Sequence, residues 1–512
     1  MDNKKEKDNI KLFNKIIVYV CLFVSSFAAL LLCSKCSFLY PFNDWFDANT
    51  MFNTAKSMLH GKVLYVDLID HRGFYSYILF AGSYILVHKS FLGLFIFECI
   101  SFFVFLFVIH KCIKLYTDRD CYFIYPLISF VLVSATGFVQ GGSSEEFALP
   151  FIAYSIYLTL KLIKNRSLSL MEVLLAGISS GILFWTKFNL CASFVVWVIA
   201  VIATDLKEKE IKKLLSDALI YAAGCIASSM PCLIYFMANS SLYESLDKYI
   251  ISNVFAYNNE VPASIAERIG SIFTVMGDYY LHKGNLILSF LLIAGIVCFV
   301  LLPKKKVSAV EKTLSVVFFV MINLAVFISG HAHNYYGFVS SACILFAAIA
   351  VSVLFEKIWN KNVKVVPAVP CVISLVIGII LAIRISDNIG MIKIKRMDIP
   401  QYKYAEIIED YEDKSLMNYK ILDAGVDTIL GTDPAIKEYC VTNLNYVDIV
   451  LKQVDYIEQG KTNFVIAWYE LPASEEEIID AFPEVAENYE LLSADVYYME
   501  GAYRTFSLWI RK

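Results

Sequence analysis

An excess of positive charge is the first thing this 512-residue sequence lacks. Its formal net charge is −4, and its lysines sit in short runs between apolar segments, so no basic face for a nucleic-acid backbone is built. Nucleic acid is not expected as a partner. A paired set of cysteines in the polar regions is missing too: of the 13, Cys33 and Cys36 alone stand in a CxxC, and most, such as Cys21, Cys33, Cys99 and Cys225, lie inside apolar runs. They read as small core or lipid-facing hydrophobes, implying neither disulfides nor zinc. No small-residue cleavage motif follows the first apolar run after MDNKKEKDNIKLFNK, so a retained first helix with a cytoplasmic N-terminus is expected. Charge is scarce inside the apolar stretches as well, with Glu98 and Glu172 the main exceptions, whereas a transporter usually carries ionisable groups near the bilayer midplane. No internal repeat at a fixed period is visible.

What the chain has in abundance is apolar residues, 58% of the total against about 45–50% in soluble domains, and its mean hydropathy is +0.60. Runs long enough, or nearly so, to cross a bilayer cover residues 16–33, 91–110, 121–139, 146–163, 170–186, 188–204, 217–238, 285–302, 313–330, 334–355 and 366–384, about eleven in all. Residues 74–87 form a shorter uncharged segment suited to an in-plane or re-entrant helix. Cytoplasmic loops should hold the Lys and Arg excess, and this decides the count. With 74–87 left out of the spanning set, the clusters Lys111/Lys114/Arg119, Lys161/Lys164/Arg166, Lys207/Lys209/Lys212/Lys213, Lys304/Lys305/Lys306/Lys312 and Lys357/Lys361/Lys364 all become cytoplasmic. Counting 74–87 as a span would put most of them outside. Residues 34–90, the loop around Gly141 to Glu146, residues 239–284 and the C-terminal part are then exoplasmic.

From Ser386 onward the composition changes, with 24 Asp and Glu against 12 Lys and Arg. The expected architecture is an all-α polytopic membrane bundle over 1–385, about eleven transmembrane helices plus an in-plane helix, followed by a small exoplasmic α/β soluble domain over 386–512. In that domain NFVIAWYEL and TFSLWIRK read as strands, SEEEIIDAFPEVAENY as a helix capped by Ser474, and Gly431 with Pro434 as a turn.

The residues suited to chemistry gather at the exoplasmic ends of helices. Asp44 and Asp47 follow the first span. An amphipathic helix over 48–59 would turn Met51, Phe52, Ala55, Met58 and Leu59 to the membrane, with Asp47 as its N-cap or as a reactive carboxylate. Glu145 and Glu146 either open the fourth helix favourably or orient a ligand. Arg72 and Lys187 are cations on the side where cations are disfavoured, suiting them to an anion contact or to snorkelling among headgroups. His333, Tyr335 and Tyr336 belong either to the aromatic belt at the interface or to an anion site.

The order of these residues resembles a known family. An acid after the first helix, then an amphipathic stretch, then G-x-x-x-Y-x-D, a basic residue before Gly, and an in-plane aromatic segment is similar to the GT-C superfamily of polyprenyl-phosphate-dependent glycosyltransferases. The nearest branch is the bacterial one akin to dolichyl-phosphate-mannose protein mannosyltransferases. The matching residues are Asp47, Gly61, Tyr65, Asp67, Asp70, Arg72 and Gly73, with Phe74 where the family commonly has proline. QGGSSEEFALPF with Glu145 and Glu146, Lys187 with Asn189, and HAHNYYGFV continue the resemblance over about 45–355; in the last motif Asn334 holds the family's histidine position, with His333 one residue earlier.

The resemblance implies transfer of a sugar from a polyprenyl-phosphate donor to an exoplasmic glycan, lipid or protein acceptor, with inversion at the anomeric carbon. A carboxylate would take the acceptor's proton: Asp47, with Asp44 as the alternative. Glu145 or Glu146 would position the acceptor or a divalent metal ion, the one cofactor to consider. Arg72, Lys187, His333 and Tyr336 would steady the departing phosphate. By analogy, the C-terminal domain would cover the site and bind acceptor. Two other classes share this topology: a lipid-linked saccharide flippase or transporter, and a non-catalytic surface scaffold.

Overall fold

The computed structural model describes residues 2–119, 121–255, 264–330, 333–358, 368–444, 446–499 and 502–512. Lys361 and Lys364 of the last basic cluster, and His331 with Ala332 of the HAHNYY motif, lie outside the described residues. The chain adopts the expected class, a polytopic helical bundle with a small C-terminal domain containing a sheet. Among the described residues, eight helices are long and apolar enough to cross a membrane by length and composition. Three shorter apolar helices, Ile124–Ser134, Leu170–Thr186 and Val369–Ile385, stand where the remaining expected spans were placed. The helix Phe74–Leu86 has 13 residues, which at 1.5 Å per residue is about 20 Å, short of a hydrocarbon core of about 30 Å.

Local signals explain where these helices begin. Ser143, Ser169 and Ser308 accept the amides of Glu146, Glu172 and Glu311, and the latter two glutamates return the bond as capping boxes. Glu172 is therefore a helix-end residue, also ion-paired with Lys161, and not a midplane charge. Glu98 is buried and accepts the Ser34 hydroxyl at 2.7 Å, a helix-to-helix hydrogen bond. Apolar side chains such as Leu219, Ile226, Ile234 and Met237 project outward from the helix Ile211–Ala238, a surface suited to lipid.

The chain divides into two compact units: residues 1–37, 95–231 and 261–389 form one, and 38–94, 232–260 and 390–512 the other. The first is helical. The second joins the first long loop to the C-terminal domain, whose strands β1 (Leu416–Asn418), β2 (Phe464–Tyr469), β3 (Tyr489–Met499) and β4 (Ala502–Arg511) are ordered β1-β2-β4-β3. β1 runs parallel to β2, and β4 is antiparallel to both β2 and β3. Met417, Val465, Ile478, Val485 and Trp509 fill its core. The helix capped by Ser474 stops at Ala481 and a separate turn starts at Pro483, because proline offers no amide to continue the ladder.

One expectation is corrected here. The helix placed at 48–59 runs Phe46–Leu59, its N-cap is Trp45 without a side-chain bond, and Asp47 sits in its first turn. Every residue from Phe46 to Ser57 is buried by protein, so the helix is not laid flat with one face outward. Its polar face is covered by the C-terminal domain: the Asn53 amide donates to Asp423 at 2.6 Å and to Thr428 at 3.0 Å, and the Thr428 hydroxyl donates to Asn49 at 3.0 Å.

Candidate functional site

In the unit that holds the first loop, the chain leaves the Phe46–Leu59 helix through a turn at Gly61, where φ is +97° and a side chain would be strained. Asp67 closes the next turn by accepting the Val63 amide at 2.7 Å. Tyr65 also takes a left-handed φ, +67°, unusual for an aromatic residue. Its ring stacks on Phe236 at 5.7 Å and its hydroxyl donates to the Arg72 carbonyl. Asn253 donates to the His71 carbonyl at 2.8 Å, so residues 232–255 brace the loop from a second side. The G-x-x-x-Y-x-D pattern is thus a set of braces for Arg72.

Arg72 Nη2 donates to Asp47, and Nη1 donates to both oxygens of Asp70 at 2.8 Å. Asp70 also accepts the His71 amide at 2.7 Å. Burial alone would lift the Asp70 carboxyl, but Arg72 and His71 beside it hold it below the ordinary carboxylate value. One guanidinium thus serves two carboxylates. The side chains of Arg72, Asp47 and Asp70 are 13%, 10% and 0% exposed, so little water screens the group. Asp44 is tied elsewhere, accepting the Tyr497 hydroxyl of β3 at 3.1 Å; burial and the Asp44 charge push that phenol upward, which keeps it a donor.

At the other end of the same helix Lys56 is completely buried. Its ammonium donates to Asn53 at 2.8 Å, to the Asp427 carbonyl at 3.0 Å and to the Thr432 carbonyl. Burial lowers this amine and lifts the Asp427 carboxyl to about 7, with their mutual attraction acting against both shifts. Lys56, Asp423 and Asp427 were not singled out from sequence. A lysine on the polar face of an amphipathic stretch carries no mark of a partner some 370 positions away.

In the helical unit, Lys187 pairs with Glu145 at 2.6 Å and lies 3.4 Å from the centre of the Tyr336 ring. The His333 ring stacks on Tyr335 at 5.6 Å and meets Tyr336 edge-on at 5.4 Å. These five expected residues therefore form one constellation. Glu146 points away from it: its carboxylate accepts the Gly142 amide at 3.1 Å and interacts with Glu98. Gly141 makes this possible, since a Cβ there would lie 2.3 Å from the Ser34 hydroxyl and 2.5 Å from a Glu98 oxygen. Asn189 donates to the Ala325 carbonyl at 3.0 Å, a helix-packing role. The donor set does not suit a divalent ion at the Glu145–Glu146 pair: one carboxylate is taken by an ammonium and the other faces a different neighbour. Among the described residues no group of three or more His, Cys, Asp or Glu side chains is placed to hold a metal.

No protein-family model and no curated protein matches the chain. Among the solved structures that match it in fold are two crystal structures of one protein. ArnT from Cupriavidus metallidurans in the apo state is 12% identical with a TM-score of 0.59, and ArnT bound to undecaprenyl phosphate is 11% identical with a TM-score of 0.53. In both, 98% of this chain and 98% of that chain are covered, so the likeness takes in the membrane helices, the first loop and the C-terminal domain. At such identities the likeness concerns the fold alone, which this chain shares with the ArnT structures.

Proposed function

We propose that this chain is a membrane glycosyltransferase that moves a sugar from a polyprenyl-phosphate donor to an exoplasmic glycan, lipid or protein acceptor. The observation that carries the reading is the end-to-end likeness in fold to ArnT, one of whose structures holds undecaprenyl phosphate. The buried Asp47–Arg72 pair supports it with suitable chemistry. The acceptor hydroxyl oxygen bonds to the anomeric carbon while the bond from that carbon to the phosphate oxygen breaks, its electron pair leaving with the lipid phosphate. Asp47 takes the hydroxyl proton, and Asp44, engaged with Tyr497, is the weaker choice. Arg72 offers a fixed cation to the phosphate as its charge grows. Phosphate binding by Lys187, His333 and Tyr336 and acceptor positioning by Glu145 belong to the same proposal, with a cytoplasmic N-terminus and the C-terminal domain outside the plasma membrane.

The decisive experiment is Asp47→Asn in the full-length protein, assayed with a radiolabelled polyprenyl-phosphate sugar. Transfer should fall roughly 10²–10⁴-fold, the usual contribution of a general base, with membrane insertion intact. Undiminished transfer would remove Asp47 from the role. Cysteine labelling at positions 187 and 305 should reach opposite sides of the membrane; labelling from one side would overturn the orientation.

A further inference from the structure

Asp47 stands in the first turn of the Phe46–Leu59 helix, and the N-cap of that helix, Trp45, makes no capping bond with its side chain. Asn49 braces the turn from inside instead. Its side-chain nitrogen donates to the Asn43 carbonyl at 3.0 Å and to the Trp45 carbonyl at 2.9 Å, holding the chain on the N-terminal side of Asp47 against the helix. A carboxamide does this in one of its two orientations only, since the flipped one would set its oxygen against two carbonyl oxygens. A buried chain of hydrogen bonds that starts nearer the other end of the helix sets the orientation. The Lys56 ammonium can only donate, so Asn53 meets it with its oxygen, at 2.8 Å. The Asn53 nitrogen then faces Thr428 of the C-terminal domain and donates to its hydroxyl oxygen at 3.0 Å, which leaves the hydroxyl proton for Asn49 Oδ1, also 3.0 Å away. Lys56, Asn53, Thr428 and Asn49 are all fully buried, where such bonds are strong and polarise one another.

We propose that Thr428 is a positioning residue for Asp47: by closing the relay from Lys56 through Asn53 to Asn49, it lets the C-terminal domain set the direction in which the base points. The proposal rests on the glycosyltransferase reading above. Three members of the relay lie on the helix itself, and the link between Asn53 and Asn49 comes from the C-terminal domain, 379 positions beyond Asn49. Without the Thr428 hydroxyl the Asn49 carboxamide loses the contact that tells its two ends apart, and Asp47 shifts with the first turn. A displacement of about 1 Å at a reacting group costs up to about 10²-fold in rate. The mark of such a role is a slower chemical step with donor binding intact. A contact that only holds the fold would lower stability and leave kcat unchanged.

The test compares the wild type, Thr428→Val and Thr428→Ser as full-length proteins in lipid nanodiscs, measuring transfer from a radiolabelled polyprenyl-phosphate sugar and binding of sugar-free undecaprenyl phosphate. Thr428→Val keeps the shape and loses the hydroxyl: kcat should fall about tenfold, with the donor KM and the Kd for undecaprenyl phosphate within about twofold of wild type. Thr428→Ser returns the hydroxyl and should restore kcat to within about twofold. Wild-type kcat in Thr428→Val, with or without a lower Tm, would overturn the proposal, as would an equal kcat loss in Thr428→Ser or a loss of donor binding in place of kcat. If Thr428→Val does not fold, Thr428→Ala takes its place and is judged by the same contrast with Thr428→Ser. A wild type that binds no undecaprenyl phosphate would instead overturn the underlying glycosyltransferase reading.

Discussion

Each of the two units contains a cation paired with an acid, and the pairs are built differently. In the loop unit Arg72 joins two carboxylates at once, one on each terminal nitrogen, and stands on a backbone braced by Tyr65 and Asn253. In the helical unit Lys187 meets a single carboxylate and an aromatic face, with its side chain 25% exposed against 2% for Glu145. The difference follows from the head groups: a guanidinium is a planar fork that can bridge two partners in fixed directions, whereas an ammonium is a point charge on a flexible stem.

The comparison predicts that the loop unit depends on buried polar contacts far more than the helical unit does. Lys56→Ala strips the buried donor from the Asn53 amide oxygen and from the Asp427 and Thr432 carbonyls and should destabilise the loop unit by about 3–5 kcal/mol, read as lost hydrogen-exchange protection over residues 416–433. Lys187→Ala should leave protection in its own surroundings nearly unchanged, and equal losses would erase the contrast. Next in size, Arg72→Lys should cost about 10²-fold in kcat/KM, since an ammonium cannot reproduce the fork, while Lys187→Arg should stay within about fivefold. Similar losses in both would mean that geometry matters no more at one cation than at the other.

A pH effect should also appear in the loop unit. With its carboxyl lifted from 3.8 to about 7 in the folded protein, Asp427 retains a proton that the unfolded chain releases, so stability tied to this group falls as pH rises across that window. Thermal unfolding at pH 5 and pH 7.5 should differ, and Asp427→Asn should flatten the difference. The smallest expected effect is that of Tyr336→Leu, which removes the ring beneath Lys187 and should raise the donor KM about two- to tenfold with kcat nearly constant. A change in kcat alone would assign Tyr336 to another step.

The membrane helices were legible because hydropathy is a local, additive property: the described apolar helices stand where the eleven runs were read. The Asp47 environment was less legible. Sequence periodicity reports that a helix has two faces and not what covers them, so Met51, Phe52 and Ala55 of the expected 48–59 helix read as membrane-facing although protein buries residues 46–57 all round. Asp70 was visible as part of a motif, but its hold on Arg72 became apparent only once both side chains were placed. Glu145 and Glu146, adjacent in sequence, also looked equivalent. About 100° apart around a helix, they meet different partners, Lys187 for one and Gly142 with Glu98 for the other.

By itself, then, the sequence determined how many apolar segments the chain has, where its composition turns acidic, and which ionisable residues stand near helix ends, because each of these depends on neighbours a few positions away. Tertiary structure decided the pairings: Arg72 with Asp47 and Asp70, Glu145 with Lys187, and Lys56 with residues 427 and 432. Such pairings depend on distance and direction in space, and charges separated by tens or hundreds of residues have no fixed distance until the chain has folded.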